Sequence, residues 1–355
     1  MTQTTGSDPK IVERKKFVVC LVIQMHVHAL SVGQILRDID TDLRFMALND
    51  LIVAIQCDKL EDNFFTGDVV DSVLQLLDDS NSEVRTKALN AACEIFPNTK
   101  CSLAEDIVKV FLEGMLSGET SVSYGIGLKC IINSVPRLSS QHVNIFVSTC
   151  LPHLIQAVKT DKKDIQIEAC EILADTMSKF GDQVGPKRNE IIDCMFGAMN
   201  GDQPALRRRA AHLVIGFLNN DEVQTAVLNF VRKRVNRIMG NTSSDMYPLT
   251  ISYVKITLIC LNGLSHNAER LASKASDILS DFLIGFLLDT NINETLMPRL
   301  NPEFGDSDPD DAVNDFKEIG LQCLENLFNA RQRTAFQSSH LSRFLDPHLN
   351  KVSGY

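Results

Sequence analysis

Eight histidines, ten cysteines and two arginine clusters are the residues with chemistry to offer, and their spacing decides what kind. The histidines, at 26, 28, 142, 153, 212, 266, 340 and 348, form no HExxH pair and no ligand pairing, whereas a metal site needs several convergent donors. His153 follows Pro152 beside an apolar stripe, where a packed or surface histidine is expected. The cysteines (20, 57, 93, 101, 130, 150, 170, 194, 260, 323) stand singly without a CxxC. That pattern suits buried thiols in a reducing compartment rather than a disulfide framework. A cysteine nucleophile needs a base and an orienting group, and the sequence offers no such pairing. There is no GxSxG or P-loop, and Gly125-Ile126-Gly127 reads as a close packing point inside a helix rather than a phosphate cradle. No catalytic constellation, metal or cofactor is expected, so the chain reads as no enzyme. What remains is the chemistry of a recognition surface.

Charge narrows the partner. The 355 residues carry a formal charge of -10, with no Trp and 4 Tyr, which disfavours phosphate backbones and stacked bases and favours basic protein surfaces. Near the start, Arg14-Lys15-Lys16 precede an apolar run from Phe17 to Val27. The run is too short to span a bilayer, is interrupted by Gln24 and His26, and lacks a small-residue cleavage site. Residues 1–28 therefore read as an extension outside the repeats, in a protein of the cytoplasm and nucleus with neither membrane nor nucleic acid as partner.

The surface residues need elements to hold them, and the sequence supplies one element many times. Val70, Val73, Leu74 and Leu77 make one helical stripe, and Val84, Ala88, Ala91 and Ile95 a second, across the turn Asp78-Asp79-Ser80-Asn81-Ser82. Ser80 and Glu83 have capping-box spacing at the second helix. A lone pair cannot bury both stripes, so the unit needs copies of itself. They follow at a period of about 40 residues, the repeat length of HEAT and armadillo hairpins. An acidic turn followed by Leu43/Ala47, Val84/Ala88, Ile165/Ala169 or Leu206/Ala210 marks four of them. The third copy is weaker, with Ser102 and Glu105 as a capping pair and Gly125 and Gly127 in its second helix. A sixth runs from Val227 to a C-capping Gly240 and back through Met246–Leu264. A seventh starts near Ala268, and an acidic insertion delays its second helix to about Phe316. The fold expected is an all-α, HEAT/armadillo-type solenoid of about seven helical hairpins over 29–346, with the acidic loop at 289–315 and a tail at 347–355.

In such folds second helices line the concave surface, which places Arg44, Asn49, Arg85, Asn90, Gln166, Arg207 and Arg208 on the inner face as candidate protein-binding residues. Arg44 and Arg85 have a competing role, bonding to the aspartates of their own or the adjacent turn. Arg207-Arg208-Arg209 and Arg232-Lys233-Arg234 with Arg237 read either as positive patches or as solvated charge, the second complementing the carbonyl end of its helix.

The run Asp42-Leu43-Arg44-Phe45-Met46-Ala47 followed by Asn49-Asp50-Leu51 resembles the opening repeat of the cullin-associated, neddylation-dissociated (CAND) proteins. Leu76-Leu77-Asp78-Asp79 with Glu83-Val84, Ile126-Gly127-Leu128-Lys129 and Arg207-Arg208-Arg209-Ala210 are similar to later repeats of that family, in the same order. The resemblance covers about residues 30 to 345 and the first third of a family member. It implies a steric scaffold that wraps an unneddylated cullin and its RING subunit and takes part in assembly and receptor exchange of cullin-RING (SCF-type) ubiquitin ligases. The family's adaptor-displacing hairpin has no counterpart here. Either a separate HEAT-repeat chain supplies the carboxy-terminal arm, or this is a truncated binder. An unfinished last repeat leaves Leu321, Leu324, Leu327 and Phe344 as an apolar face for docking a second chain. The alternative is another HEAT adaptor, such as a nuclear transport receptor or phosphatase scaffold, because repeats share a fold without sharing partners.

Overall fold

The computed structural model describes residues 29–58, 60, 64–117, 121–240, 248–266, 282–283, 292–301 and 308–331. Within them the chain divides into two compact units between Gly185 and Pro186. The first unit is four hairpins: α1 (Ala29–Leu36) with α2 (Thr41–Gln56), α3 (Gly67–Gln75) with α4 (Ser82–Ile95), α5 (Cys101–Ser117) with α6 (Ser121–Asn133), and α7 (Ser140–Val158) with α8 (Lys163–Val184). First helices stack on first helices, α1 on α3 on α5 on α7, and second helices on second helices, α2 on α4 on α6 on α8. Each hairpin thus buries its two stripes against the next copy, the arrangement an amphipathic repeat requires.

Side-chain caps start several of the helices. Asp40 caps α2 by accepting from the Asp42 amide at 3.0 Å. At α4 the cap is Asn81, not Ser80: its Oδ1 accepts from the amides of Glu83 (2.8 Å) and Val84 (3.3 Å), and the helix begins at Ser82. The expected Ser80/Glu83 box fails because the neighbouring amide side chain reaches both free N–H groups itself. The Ser102/Glu105 box fails too. The Ala104 amide already bonds to the Lys100 carbonyl (2.9 Å), so Ser102 lies within the first turn of α5.

Between the layers lie Leu48, Leu51, Ile95, Phe96, Phe111, Phe146 and Phe180, all fully buried, each contributing about 1.5–3 kcal/mol of burial. Of the aliphatic/alanine pairs, Val84/Ala88, Ile165/Ala169 and Leu206/Ala210 are buried throughout, and Ala47 is buried beside a half-buried Leu43. The Gly125/Gly127 pair is a close packing point, as its spacing suggested. A Cβ on Gly127 would stand 2.7 Å from the Phe111 ring, and one on Gly125 would collide with the Glu168 carboxyl.

The second unit repeats the plan with α9 (Arg188–Met199), α10 (Pro204–Ile215), α11 (Asp221–Ile238), α12 (Ile251–His266) and α13 (Pro309–Arg331). Here α9 packs on α11, and α10 on α12 on α13. Gly240 follows α11 with φ +85°, the left-handed conformation that favours glycine after a helix end. Arg299 donates to the carbonyls of Ile238 (2.9 Å) and Arg237 (3.1 Å), tying the segment before α13 to that same end. α13 begins at Pro309 rather than near Phe316. Asp311 therefore lies in its first turn, where negative charge meets the positive end of the helix dipole, and the acidic loop is shorter than 289–315. The expected first helix of the seventh hairpin falls almost wholly outside the described residues, as do Glu303, Asp306, residues 1–28 and Phe344.

Candidate partner-binding face

Four of the predicted inner-face residues turn out to share one structural task. Arg44 Nη1 donates to the Asp38 carbonyl (2.8 Å), Arg85 Nη1 to the Asp79 carbonyl (2.6 Å), and Arg207 Nη1 to the Gly201 carbonyl (3.2 Å). The Gln166 amide donates to the Thr160 carbonyl. Each reaches the carbonyl six residues back, closing the turn that leads into its own helix. Arg44 adds a link between hairpins: its Nε and Nη2 grip Asp79 at 2.7 and 3.1 Å. Burial pushes the Asp79 carboxyl up, but the Arg44 bond, the Asn81 amide and the Arg44 and Arg85 charges outweigh it and hold it below its usual value. Arg207 is only 7% exposed, so it braces its turn from inside and presents no cation to a partner. In the third hairpin the fourth residue of α6 is Tyr124 in place of a basic or amide side chain, and Glu168 closes on the neighbouring Gly125 where a Cβ would stand.

The remaining predicted residues divide. Asn49 is half-buried and accepts from Lys87 Nζ at 3.0 Å, with Lys87 also 5.5 Å from the Phe45 ring centroid. Asn90 and Arg208 are exposed. In the second basic cluster Lys233 is exposed and Arg237 stands in the last turn of α11, but Arg234 is neither patch nor solvated charge. Arg234 is 3% exposed, its guanidinium 3.4 Å above the Tyr253 ring, and it donates to Thr257 Oγ1 (2.9 Å), the Tyr253 carbonyl (2.8 Å) and Asn200 Oδ1. It clamps α11 to α12 and to the end of α9. His142, likewise, is buried with one ring nitrogen at the Thr99 carbonyl (2.9 Å) and the other at Ser139 Oγ (2.6 Å). At the other end of the chain, Leu321 is 52% exposed and Leu324 half-buried, but Leu327 is 1% exposed in the core and cannot meet a second chain.

Arg85 and Asn90 do meet on one feature, a groove of about 300 Å³ between α4 and α6. Leu77 and Leu89 line its floor, and Tyr124 and Ile126 its other wall. Tyr124 Oη lies 3.4 Å from Asp78 Oδ1, and burial, followed by the Asp78 charge and bond, raises its phenol above the ordinary value. Beside the groove Val122 and Ile126 are 59% and 53% exposed. Sequence reasoning took this segment for packing and missed its outer side. A signal was there: Leu128, Ile131 and Ile132 already complete the buried stripe of α6, leaving Val122 and Ile126, four apart, on another face.

Stacked hairpins in two layers, turn-braced at a 40-residue period, define an α-solenoid of the HEAT/armadillo class. No protein-family model matches the chain. Over half its length or more, the chain is similar to cullin-associated NEDD8-dissociated proteins. It is 28% identical over 217 residues to protein 1 of Dictyostelium discoideum, covering 57% of this chain and 18% of that one. Against protein 1 of Drosophila melanogaster the figures are 30% over 182 residues, 50% and 14%. Against protein 2 of Mus musculus they are 24% over 236 residues, 64% and 19%. The chain thus spans less than a fifth of these relatives. Among solved structures it is similar to Kap95p with RanGDP (TM-score 0.49, 11% identity, 99% of this chain and 43% of that one). It is similar as well to a designed armadillo repeat protein (TM-score 0.37, 13% identity, 66% and 98%).

Proposed function

We propose that this chain is a cullin-binding scaffold acting in the assembly and receptor exchange of cullin-RING ubiquitin ligases, in cytoplasm and nucleus. The observation that carries the reading is homology over half the chain or more to proteins named for their association with cullins. The mechanism is steric. The second-helix face of the amino-terminal unit binds unneddylated cullin and its RING subunit and occludes the site of modification, with no covalent step. Exposed apolar groups on that face, Val53 on α2 and Val122 and Ile126 on α6, support contact with a partner. The acidic balance of the chain suits a basic partner surface. A second HEAT-repeat chain docks on α13 at Leu321, which is exposed, and the half-buried Leu324.

The test is a pull-down from cell extract with the full chain as bait, quantifying cullins with and without a block of neddylation. Unmodified cullin should be enriched, and more so when neddylation stops. Capture of small GTPases or phosphatase subunits with no cullin in either condition would overturn the reading in favour of another HEAT adaptor.

A further inference from the structure

The fold makes a thiol pair that the sequence does not announce. Cys93, near the end of α4, is 3% exposed, and its Sγ lies 3.5 Å from the Gly127 carbonyl oxygen of α6. Cys130 stands three residues after Gly127, on the same side of that helix and exposed to solvent. The two thiols are thus neighbours across the α4–α6 contact, near enough for each to shift the other's ionisation. Charged groups flank them on both elements: Glu94 on α4, and Arg137 in the turn after α6, paired with each other at 2.6 Å. Cys130 is therefore the reachable sulfur, and Cys93 the sheltered one beside it.

We propose that Cys93 and Cys130 form a hydroperoxide-responsive pair in which Cys130 is oxidised first and Cys93 resolves it, closing a disulfide between α4 and α6. In the first step the Cys130 thiolate sulfur attacks a peroxide oxygen. An S–O bond forms, the O–O bond breaks, and the leaving hydroxide or alkoxide takes up a proton. Cys130 becomes a sulfenic acid, oxidised by two electrons as the peroxide is reduced. In the second step Cys93 sulfur attacks Cys130 sulfur. An S–S bond forms, the S–O bond breaks, and the Cys93 proton leaves with the hydroxide as water. The electrostatics agree with this order of events. The neighbouring Cys93 thiol lowers the Cys130 thiol to about 7, against the opposing effects of burial and Glu94, and Arg137 adds to the lowering. Cys93 is pushed well up, first by the neighbouring Cys130 and then by burial, so it holds its proton until Cys130 has reacted. Such a pair suits a reducing compartment, where disulfides are transient and signal oxidation rather than hold structure. The inference is independent of the cullin reading.

Mass spectrometry of the full chain under non-reducing conditions, after brief hydrogen peroxide treatment, tests it. The expected product is a linked peptide joining Cys93 to Cys130, reversed by dithiothreitol. Cys93→Ala should lose the link and accumulate a Cys130 sulfenic acid that a dimedone probe labels, with helix content by circular dichroism confirming the fold. Without any variant, the native chain supplies a second reading. At pH 7 a thiol near 7 carries about fifteen times the thiolate of an ordinary cysteine, discounted about fivefold for weaker nucleophilicity, so alkylation of Cys130 should run about threefold faster than that of an unstructured cysteine peptide. Peroxide that carries Cys130 to sulfinic acid while Cys93 stays reduced would overturn the proposal. So would a Cys130 disulfide formed only with another cysteine.

Discussion

At the scale of single residues, the arginines here hold structure more than they meet partners. Arg44 spans two hairpins, and its removal strands Asp79, whose side chain is 5% exposed, together with two turn carbonyls. Arg44→Ala should destabilise the amino-terminal unit by about 3 kcal/mol, and Arg44→Lys should recover only part, since an ammonium cannot fork across the carboxylate. Urea unfolding followed by amide exchange in α2 and α4 measures this. Because Asp79 is held below its ordinary value, its contribution is fully present above the unfolded carboxylate range and lost as pH falls through the folded value. The gap between Arg44→Ala and the native chain should be constant above about pH 5 and shrink below about pH 4. Arg234 belongs with Arg44: its stacking on Tyr253 and three donated bonds make Arg234→Lys a loss of about 2 kcal/mol in the second unit, read from the same experiment on α11 and α12.

At the scale of elements, close approach matters more than capping. α6 presses its Gly127 against Phe111 of α5 and its Gly125 against Glu168 of α8, so three helices meet where a side chain has no room. Gly127→Val should cost about 1–3 kcal/mol through overpacking and lower the thermal midpoint, a change that differential scanning calorimetry would resolve. The outer side of α6 obeys a different rule. Val122 and Ile126 are exposed, so Val122→Asp with Ile126→Asp should leave helix content unchanged. If this face meets cullin, the double variant should weaken capture about tenfold, the loss typical of removing a small apolar anchor cluster. Undiminished capture would move the contact to another part of the chain.

At the scale of the whole molecule, function rests on what the stack presents and what completes it. The chain spans 14–19% of its matched relatives, and the docking of a second HEAT chain on α13 is a proposal that rests on the exposure of Leu321. Leu321→Asp, at an exposed position of α13, should remove a co-purifying HEAT protein from the pull-down while leaving cullin capture in place.

Repeat period, fold class and helix order were legible in the sequence because an amphipathic hairpin with an acidic turn is a local pattern, repeated until it cannot be mistaken. The homology was legible for the same reason, in contiguous runs such as Asp42 to Ala47. The division of labour among the charged residues was not. Arg207 and Arg208 are adjacent in the chain, yet the helix turns one into its own start and leaves the other in solvent. Asn81 displaced Ser80 as a cap by a difference of one position in the turn. Cys93 and Cys130 sit in different hairpins, and no local pattern joins them. Periodicity is a property of neighbours along the chain, whereas burial, ion pairing and thiol contact depend on which hairpin lies alongside, and only the stacked tertiary structure decides that.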